Sequence, residues 1–234
     1  MAPPRKVHLF IPCFVDQVYP QTGLAALKLL RDAGCEVIYP RGQTCCGQPA
    51  FNSGYAGEAA VLAERFIRLF RDAEAVVAPS ASCIAMVRVH YGDLPLAPEI
   101  REEYESLRER VFELSEYLVD RLGVTDFGAR FPGRVAYHAS CHGLRELGIL
   151  RQPMELLRKV EGLELVEPDD RHLCCGFGGT FAAKFSSLSA AIGEDKIEAL
   201  VRTGAEVVTA TDDSCLMHLG GMLSRRKVPI RPLH

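Results

Sequence analysis

Apolar residues fall along this chain in two kinds of pattern: short unbroken runs, and longer stretches with helical spacing. Val7–Pro12 is such a run, closed by a proline, and reads as a buried strand. Gly23–Ala33 places Leu24, Leu27, Leu29 and Leu30 near helical spacing before Gly34 stops it. Cys35–Tyr39 reads as a second strand, and Glu58–Asp72 as an amphipathic helix with Leu62, Phe66, Leu69 and Phe70 on one face. Ala75–Ala78 is a third strand, and Ser80 or Ser82 is placed to cap a helix running on from Cys83. The order strand, helix, strand, helix, strand is that of a parallel sheet with right-handed crossovers.

The pattern then recurs. Arg134–Ala139, Leu163–Val166 and Glu206–Ala210 read as strands, and Pro153–Val160 and Phe181–Thr203 as helices, with another after Ser214. Between the halves, Leu107, Val111, Leu114, Leu118 and Leu122 lie about one turn apart, which predicts a helix over Pro98–Leu122, and Gly123–Gly133 reads as linker. Val228–Leu233 carries two prolines and suits an edge strand. The expected fold is therefore α/β, with two pseudo-symmetric lobes, each a parallel sheet flanked by helices. Residues 1–97 form the first repeat, 98–133 a helical connector and 134–234 the second repeat.

Cysteines sharpen the repeat. Cys13, Cys45-Cys46 and Cys83 in the first half match Cys141, Cys174-Cys175 and Cys215 in the second, each pair followed by a glycine. The offset grows only from 128 at Cys13 and Cys141 to 132 at Cys83 and Cys215, as a duplication with loop insertions would leave it. Four thiolates per half is the ligand count of a tetrahedral zinc or an iron–sulfur cluster. Each cysteine group follows the carboxyl end of a predicted strand, and those loops gather at one edge of an open α/β sheet. Helices beginning near Cys83 and Cys215 would aim their positive ends at the sulfurs. Gly47, Gly176 and Gly178 let the backbone close around them. Cys35, the ninth, has no counterpart and reads as a small buried hydrophobe.

Composition limits the alternatives. Of 234 residues, 48% are hydrophobic and 24% charged, with a net charge of −3, which gives nucleic acid or anionic membrane no purchase. No apolar stretch approaches the roughly 20 residues of a transmembrane helix. Residues 1–6 lead into only a short apolar run and lack the form of a signal peptide. A cytoplasmic location follows as the expectation; thiols persist there and read as metal ligands, ahead of a disulfide scaffold.

Histidines crowd the second cysteine set. His138 and His142 are the candidates for moving a proton beside a redox centre, with His172 nearby; a partly buried histidine satisfied by the backbone is the plainer alternative. Arg145 and Arg171 are candidates for clamping a carboxylate. The glycines after Cys175 do not complete a Gly-x-Gly-x-x-Gly fingerprint, which removes NAD or FAD binding.

With these residues in view, the chain resembles the duplicated cysteine-rich (CCG) domain proteins. Pro79-Ser80-Ala81-Ser82-Cys83, His138-Ala139-Ser140-Cys141-His142, Cys174-Cys175-Gly176-Phe177-Gly178-Gly179 and Asp213-Ser214-Cys215-Leu216-Met217 carry the likeness. The family includes the cysteine-rich subunit of heterodisulfide reductase and the glycolate oxidase iron–sulfur subunit, and the short two-repeat form resembles the lactate-utilisation protein A family. The resemblance implies two iron–sulfur clusters, [4Fe–4S] with zinc as the alternative, held by the eight paired cysteines. It implies an electron-transfer subunit of an NAD-independent 2-hydroxyacid dehydrogenase complex, taking L-lactate to pyruvate beside a ferredoxin-type iron–sulfur partner. Whether the chain is catalytic in its own right stays open. So do a disulfide reductase of the heterodisulfide type and a structural zinc module. One departure from the family stands out: the last cysteine of its Cys-x-x-Cys element is missing in both halves, replaced by Met86 and His218. Met86 reads as core; His218 reads as a neighbour of the site more than a ligand.

Overall fold

The two apolar runs that end on a cysteine become the inner strands of two parallel sheets. The computed structural model describes residues 5–234 and divides into two units, one ending at Val124 and the other spanning Thr125–His234. In the first unit β1 (Lys6–Leu9) leads through α1 (Cys13–Val18) and α2 (Pro20–Asp32) to β2 (Glu36–Ile38). The chain continues through α3 (Gln48–Phe51) and α4 (Ala56–Phe70) to β3 (Val76–Ala78), then α5 (Ala81–Arg88), α6 (Pro98–Arg108), β4 (Val111–Glu113) and the single turn α7 (Leu114–Glu116). The strand order is β2-β1-β3-β4, all pairs parallel.

The second unit repeats that order. It comprises β5 (Arg130–Tyr137), α8 (Arg151–Arg158), β6 (Glu161–Val166), α9 (Thr180–Lys184), α10 (Ser186–Thr203), β7 (Val207–Thr209), α11 (Asp213–Arg225) and β8 (Arg231–Leu233). Its strands run β6-β5-β7-β8, again parallel. The fold is thus α/β in two lobes, each a four-stranded parallel sheet with helices on it. β8 takes the edge, where Pro232 sacrifices no inner ladder bond.

Packing follows the pattern of each helix. The buried stripe of α4, Ala59, Ala63, Phe66, Ile67 and Phe70, lies on the sheet of the first unit. There Phe66 and Phe70 pack on Phe10 at centroid distances of 5.0 and 6.0 Å, and each buried ring contributes about 2–3 kcal/mol. The second unit uses aliphatic residues instead: Ile197 and Leu200 of α10 and Leu216, Leu219 and Leu223 of α11 close over Ala136 and Val208.

Three elements depart from the sequence expectation, the first being β5, which begins at Arg130 inside the span read as linker. The helix predicted over 98–122 stops at Arg108. Arg110 turns the chain, donating to the carbonyl oxygens of Arg71 at 2.9 Å and of Ala73, while its own carbonyl accepts from the Val76 amide at 2.7 Å. Val111–Glu113 is thereby drawn in as the fourth strand of the first sheet, and Glu113 caps the next turn in a reciprocal box with Glu116. The long helix predicted over 181–203 breaks at Phe185, whose backbone (φ −130°, ψ 53°) is not helical.

Candidate metal centres

Each set of four cysteines lies where three loops leave the carboxyl ends of parallel strands. Cys13 opens α1 directly after β1, Cys45 and Cys46 lie in the loop after β2, and Cys83 sits in the first turn of α5 after β3. Cys141, Cys174-Cys175 and Cys215 hold the matching places after β5, β6 and β7. All nine cysteines are free thiols.

The sulfurs touch in the same sequence in both units. Cys45 takes side-chain hydrogen bonds from Cys13 and Cys46, and Cys46 also meets Cys83. Cys174 takes them from Cys141 and Cys175, and the Cys175 and Cys215 sulfurs lie 3.2 Å apart. Backbone amides reinforce the first cysteine of each pair, Gly47 N–H reaching Cys45 Sγ at 3.4 Å and Gly176 N–H reaching Cys174 Sγ at 3.3 Å. Phe177 N–H adds a contact to Cys175 Sγ at 3.5 Å.

These contacts sort the thiols. Donation by Cys13 and then Cys46 holds the Cys45 thiol down to about 3, and donation by Cys141 and then Cys175 holds Cys174 down to about 2. Their neighbours move the other way. Cys13 and Cys141 are pushed up because each donates to that thiolate, and burial adds to the effect; Cys46 and Cys175 are raised in the same manner. Each unit therefore gathers four sulfurs, one of which its neighbours' donation favours as thiolate. That set suits a thiophilic cation, which displaces the remaining protons and satisfies every sulfur at once.

The loops that carry the cysteine pairs are fixed by close backbone approach. Gly47 has φ 91° and Gly176 φ 88°, both in the left-handed region. A Cβ on Gly176 would stand 2.3 Å from the Ser189 carbonyl oxygen of α10; on Gly47 it would stand 3.3 Å from that of Ala59 in α4. Ser189 Oγ then donates to the Gly176 carbonyl at 2.8 Å. Gly178 serves a different contact, since a Cβ there would meet the Phe181 side chain at 2.9 Å. Ser80 Oγ accepts from the Cys83 amide at 3.5 Å and caps α5.

The histidines separate. His138 is fully buried at the end of β5, and burial, followed by the nearby Lys196, lowers its pKa to about 3. His142 is partly exposed on a π-helical turn, with Nδ1 2.9 Å from Glu146 Oε1. His218 is half-buried beside Ser189 Oγ at 3.4 Å and the Phe177 ring, and burial lowers its pKa. Met86 lies wholly in the core. Both arginines have partners: Arg145 donates to the His172 carbonyl at 2.8 Å and Arg171 pairs with Glu167 at 3.0 Å.

Three residues near the sulfurs escape sequence reasoning. Tyr91 is buried and donates to the Cys46 carbonyl at 2.9 Å; no spacing in the chain announces it. Ser189 reads only as a helix residue. Lys196 is fully buried in α10, where a lysine is ordinarily taken for solvent. Superposing the two repeats helix on helix, and not only cysteine on cysteine, sets Lys196 on Phe66 and marks it as an inward position.

No helix among the described residues is long and apolar enough to cross a membrane. The cysteine-rich (CCG) domain model matches twice, over residues 7–88 and 135–220. A lactate utilization protein A from Exiguobacterium sp. (strain ATCC BAA-1283 / AT1b) is 44% identical over 231 residues, covering 98% of this chain and 94% of that protein. One from Geobacillus thermodenitrificans (strain NG80-2) is 44% identical over 229 residues, covering 98% and 96%. Its namesake from Bacillus subtilis (strain 168) is 42% identical over 229 residues, with the same coverage. Among solved structures, a glutamate racemase from Francisella tularensis aligns at 12% identity and a TM-score of 0.37, covering 98% of this chain and 76% of that one, too weak a likeness to bear on function. With two matched copies of the domain and relatives this similar over nearly its whole length, the chain belongs to the cysteine-rich (CCG) domain family, in the lactate utilization protein A group.

Proposed function

We propose that each four-cysteine site holds an iron–sulfur cluster, [4Fe–4S] in both units, and that the chain is an electron-transfer subunit of a lactate-oxidising system. The observation that carries this reading is the convergence of four thiols in each of two like-folded units, in a chain whose relatives are named for lactate utilization. A bound cluster supplies a one-electron store held by thiolate ligands. Cys13, Cys45, Cys46 and Cys83 would hold it in the first unit, and Cys141, Cys174, Cys175 and Cys215 in the second.

The chain's own residues support that role in three ways. The Gly47 and Gly176 amides point at sulfur and stabilise negative charge there. Cys46, Cys175 and Cys215 are buried, which limits exchange of their ligated atoms with solvent. Cys13, by contrast, is exposed, so the first site has an edge through which an electron can pass to a docked partner. That partner, in this reading, is a ferredoxin-type iron–sulfur subunit in the cytoplasm. Oxidation of L-lactate to pyruvate releases two electrons and two protons. His142, held by Glu146 and open to solvent, is the histidine placed to take a proton; His138 is sealed from water and has no route for one.

A second reading rests on the 3.2 Å contact between Cys175 and Cys215 sulfurs. Four sulfurs around one zinc, at about 2.3 Å each, stand roughly 3.8 Å apart, so a small outward movement admits that ion and a larger one is needed for a cluster. Iron, sulfide and zinc content of anaerobically purified protein, with its visible and EPR spectra, decides between them. About eight irons and eight sulfides per chain, with a reducible EPR signal, is the expected result. Roughly two zincs and no sulfide would replace the electron-transfer reading with a structural zinc protein.

A further inference from the structure

The frames that hold the two sulfur sets match, but the wall behind them differs. Strand register equates Phe10 with His138: the Phe10 amide donates to Val77 O at 2.9 Å as the His138 amide donates to Thr209 O at 2.7 Å. In the first unit this place holds a ring without a polar atom, packed edge-on against Phe66 at 5.0 Å between centroids. In the second it holds an imidazole that is 0% exposed.

Neither ring nitrogen of His138 has a hydrogen-bond partner. A native core seldom leaves an imidazole in that state, because a buried polar group without a partner forfeits the hydrogen bonds that water gave it. What lies beside the ring is sulfur: one ligand atom of His138 and the Sγ atoms of Cys175 and Cys215 are all within 4.8 Å of one another. Burial, followed by the nearby Lys196, lowers the pKa of His138 to about 3, so the ring is neutral and carries one N–H and one lone pair. The lone pair has no metal to bind, since four cysteines already fill the protein positions of a cluster or a zinc ion. The N–H remains, and the ligand sulfurs are the acceptors set beside it.

We propose that His138 stays outside the coordination shell and donates its ring N–H to a ligand sulfur of the second centre, Cys175 or Cys215, raising the reduction potential of that centre. The proposal rests on the reading of the eight cysteines as cluster ligands. Reduction adds negative charge to the cluster and its thiolates. A hydrogen bond to sulfur strengthens as that charge grows, so the bond favours the reduced state. Phe10 offers the first centre no such donor. His138 is thus a positioning residue that acts through its neighbours' sulfurs, and a single buried side chain separates two centres with the same four ligands.

The test is an EPR-monitored redox titration of the full-length protein, loaded anaerobically, with dithionite as one-electron reductant. The signal missing from Cys175→Ser belongs to the second centre. His138→Phe installs the first unit's residue and removes the N–H. The reduced-to-oxidised ratio of the second centre should then fall at least threefold at fixed ambient potential, about 28 mV where a decade is about 59 mV, with the first centre unmoved. Asparagine and glutamine carry an amide N–H near the places of Nδ1 and Nε2, so His138→Asn or His138→Gln should recover the wild-type potential. A ring that only fills space would give no such rescue. Pulsed EPR on protein labelled with 15N at histidine needs only the wild type and keeps the proposal testable if His138→Phe does not fold. A weak histidine nitrogen coupling at the second centre, lost in His138→Gln and retained in His218→Phe, is the expected result. A shift below threefold, equal shifts in all three variants, or no such coupling would overturn the hydrogen bond and leave the iron–sulfur reading intact. Zinc without sulfide would sink the iron–sulfur reading by itself. The bond is then read in cadmium-substituted protein by NMR: spin coupling from the imidazole proton through sulfur to the metal supports it, and its absence overturns it.

Discussion

Alanine at Gly176 should be far more harmful than alanine at Gly47, although the two glycines hold matching places in the two repeats. Both have a left-handed backbone, φ 88° and 91°, which imposes about 1–2 kcal/mol on any residue bearing a Cβ. At Gly47 that is nearly the whole effect, because the new Cβ would lie 3.3 Å from Ala59 O, a tight contact relieved by a few tenths of an ångström. At Gly176 it would lie 2.3 Å from Ser189 O and 3.0 Å from Gly193 N, both backbone atoms of α10. The helix or the loop must then move by about 1 Å, and overpacking of that kind adds about 1–3 kcal/mol. Gly176→Ala should therefore destabilise the second unit by about 2–5 kcal/mol, and Gly47→Ala the first by about 1–2 kcal/mol. Displacing the loop also separates Cys174 and Cys175 from their partners and loosens Ser189 from the Gly176 carbonyl. Hydrogen exchange resolved by peptide reads the two units separately, which a single melting curve does not. Protection should fall in α10 and β7 of Gly176→Ala, with the first unit unchanged and metal content reduced at the second site only. Equal losses in the two variants, within about 0.5 kcal/mol, would show that steric approach to α10 does not govern this loop.

Tyr91→Phe removes the hydrogen bond that Tyr91 gives the Cys46 carbonyl, so the first unit should lose about 1–2 kcal/mol in urea unfolding. A change below 0.3 kcal/mol or so would mean that another donor reaches that carbonyl. Lys196→Met replaces a buried, unpartnered amine with an apolar chain of similar length, and metal-free protein should gain about 1–3 kcal/mol in the second unit. A net loss in the metal-free form would assign Lys196 a partner there. Cys175→Ser should abolish metal at the second site and leave the first loaded, so that metal analysis reads half the wild-type content; complete loss would mean that the two sites load as one.

Much of this arrangement was legible in the chain because the same signals occur twice. The apolar runs before Cys13 and Cys141 read as buried strands, the alternation with helices reads as a parallel sheet, and the paired spacings put every cysteine group after such a strand. β8 was legible from its prolines. β4 was not, because Val111-Phe112-Glu113 lies among leucines at helical spacing, and a strand of three residues is too short to assert its own period. What drew it into the sheet was Arg110 binding the carbonyls of Arg71 and Ala73, contacts between residues far apart in sequence. The break at Phe185 was equally hidden, since the residues around it have ordinary helix propensity.

The site was legible in its sulfurs and opaque behind them. A histidine beside a cysteine suggests a proton carrier by its type, but type says nothing of exposure, and His138 turns out to be closed off from water while His142 remains open to it. Burial separates them, because an imidazole that exchanges protons needs a path to solvent. Lys196 follows the same logic. On its own it is an unremarked lysine in a helix; set against Phe66 it is an amine where the sister unit keeps a ring. The two repeats keep the same frame of cysteines, while the wall behind it is aromatic in one and carries a histidine and a lysine in the other. Buried without hydrogen-bond partners, His138 and Lys196 have no packing advantage over Phe10 and Phe66, so core stability does not account for their place in the second unit.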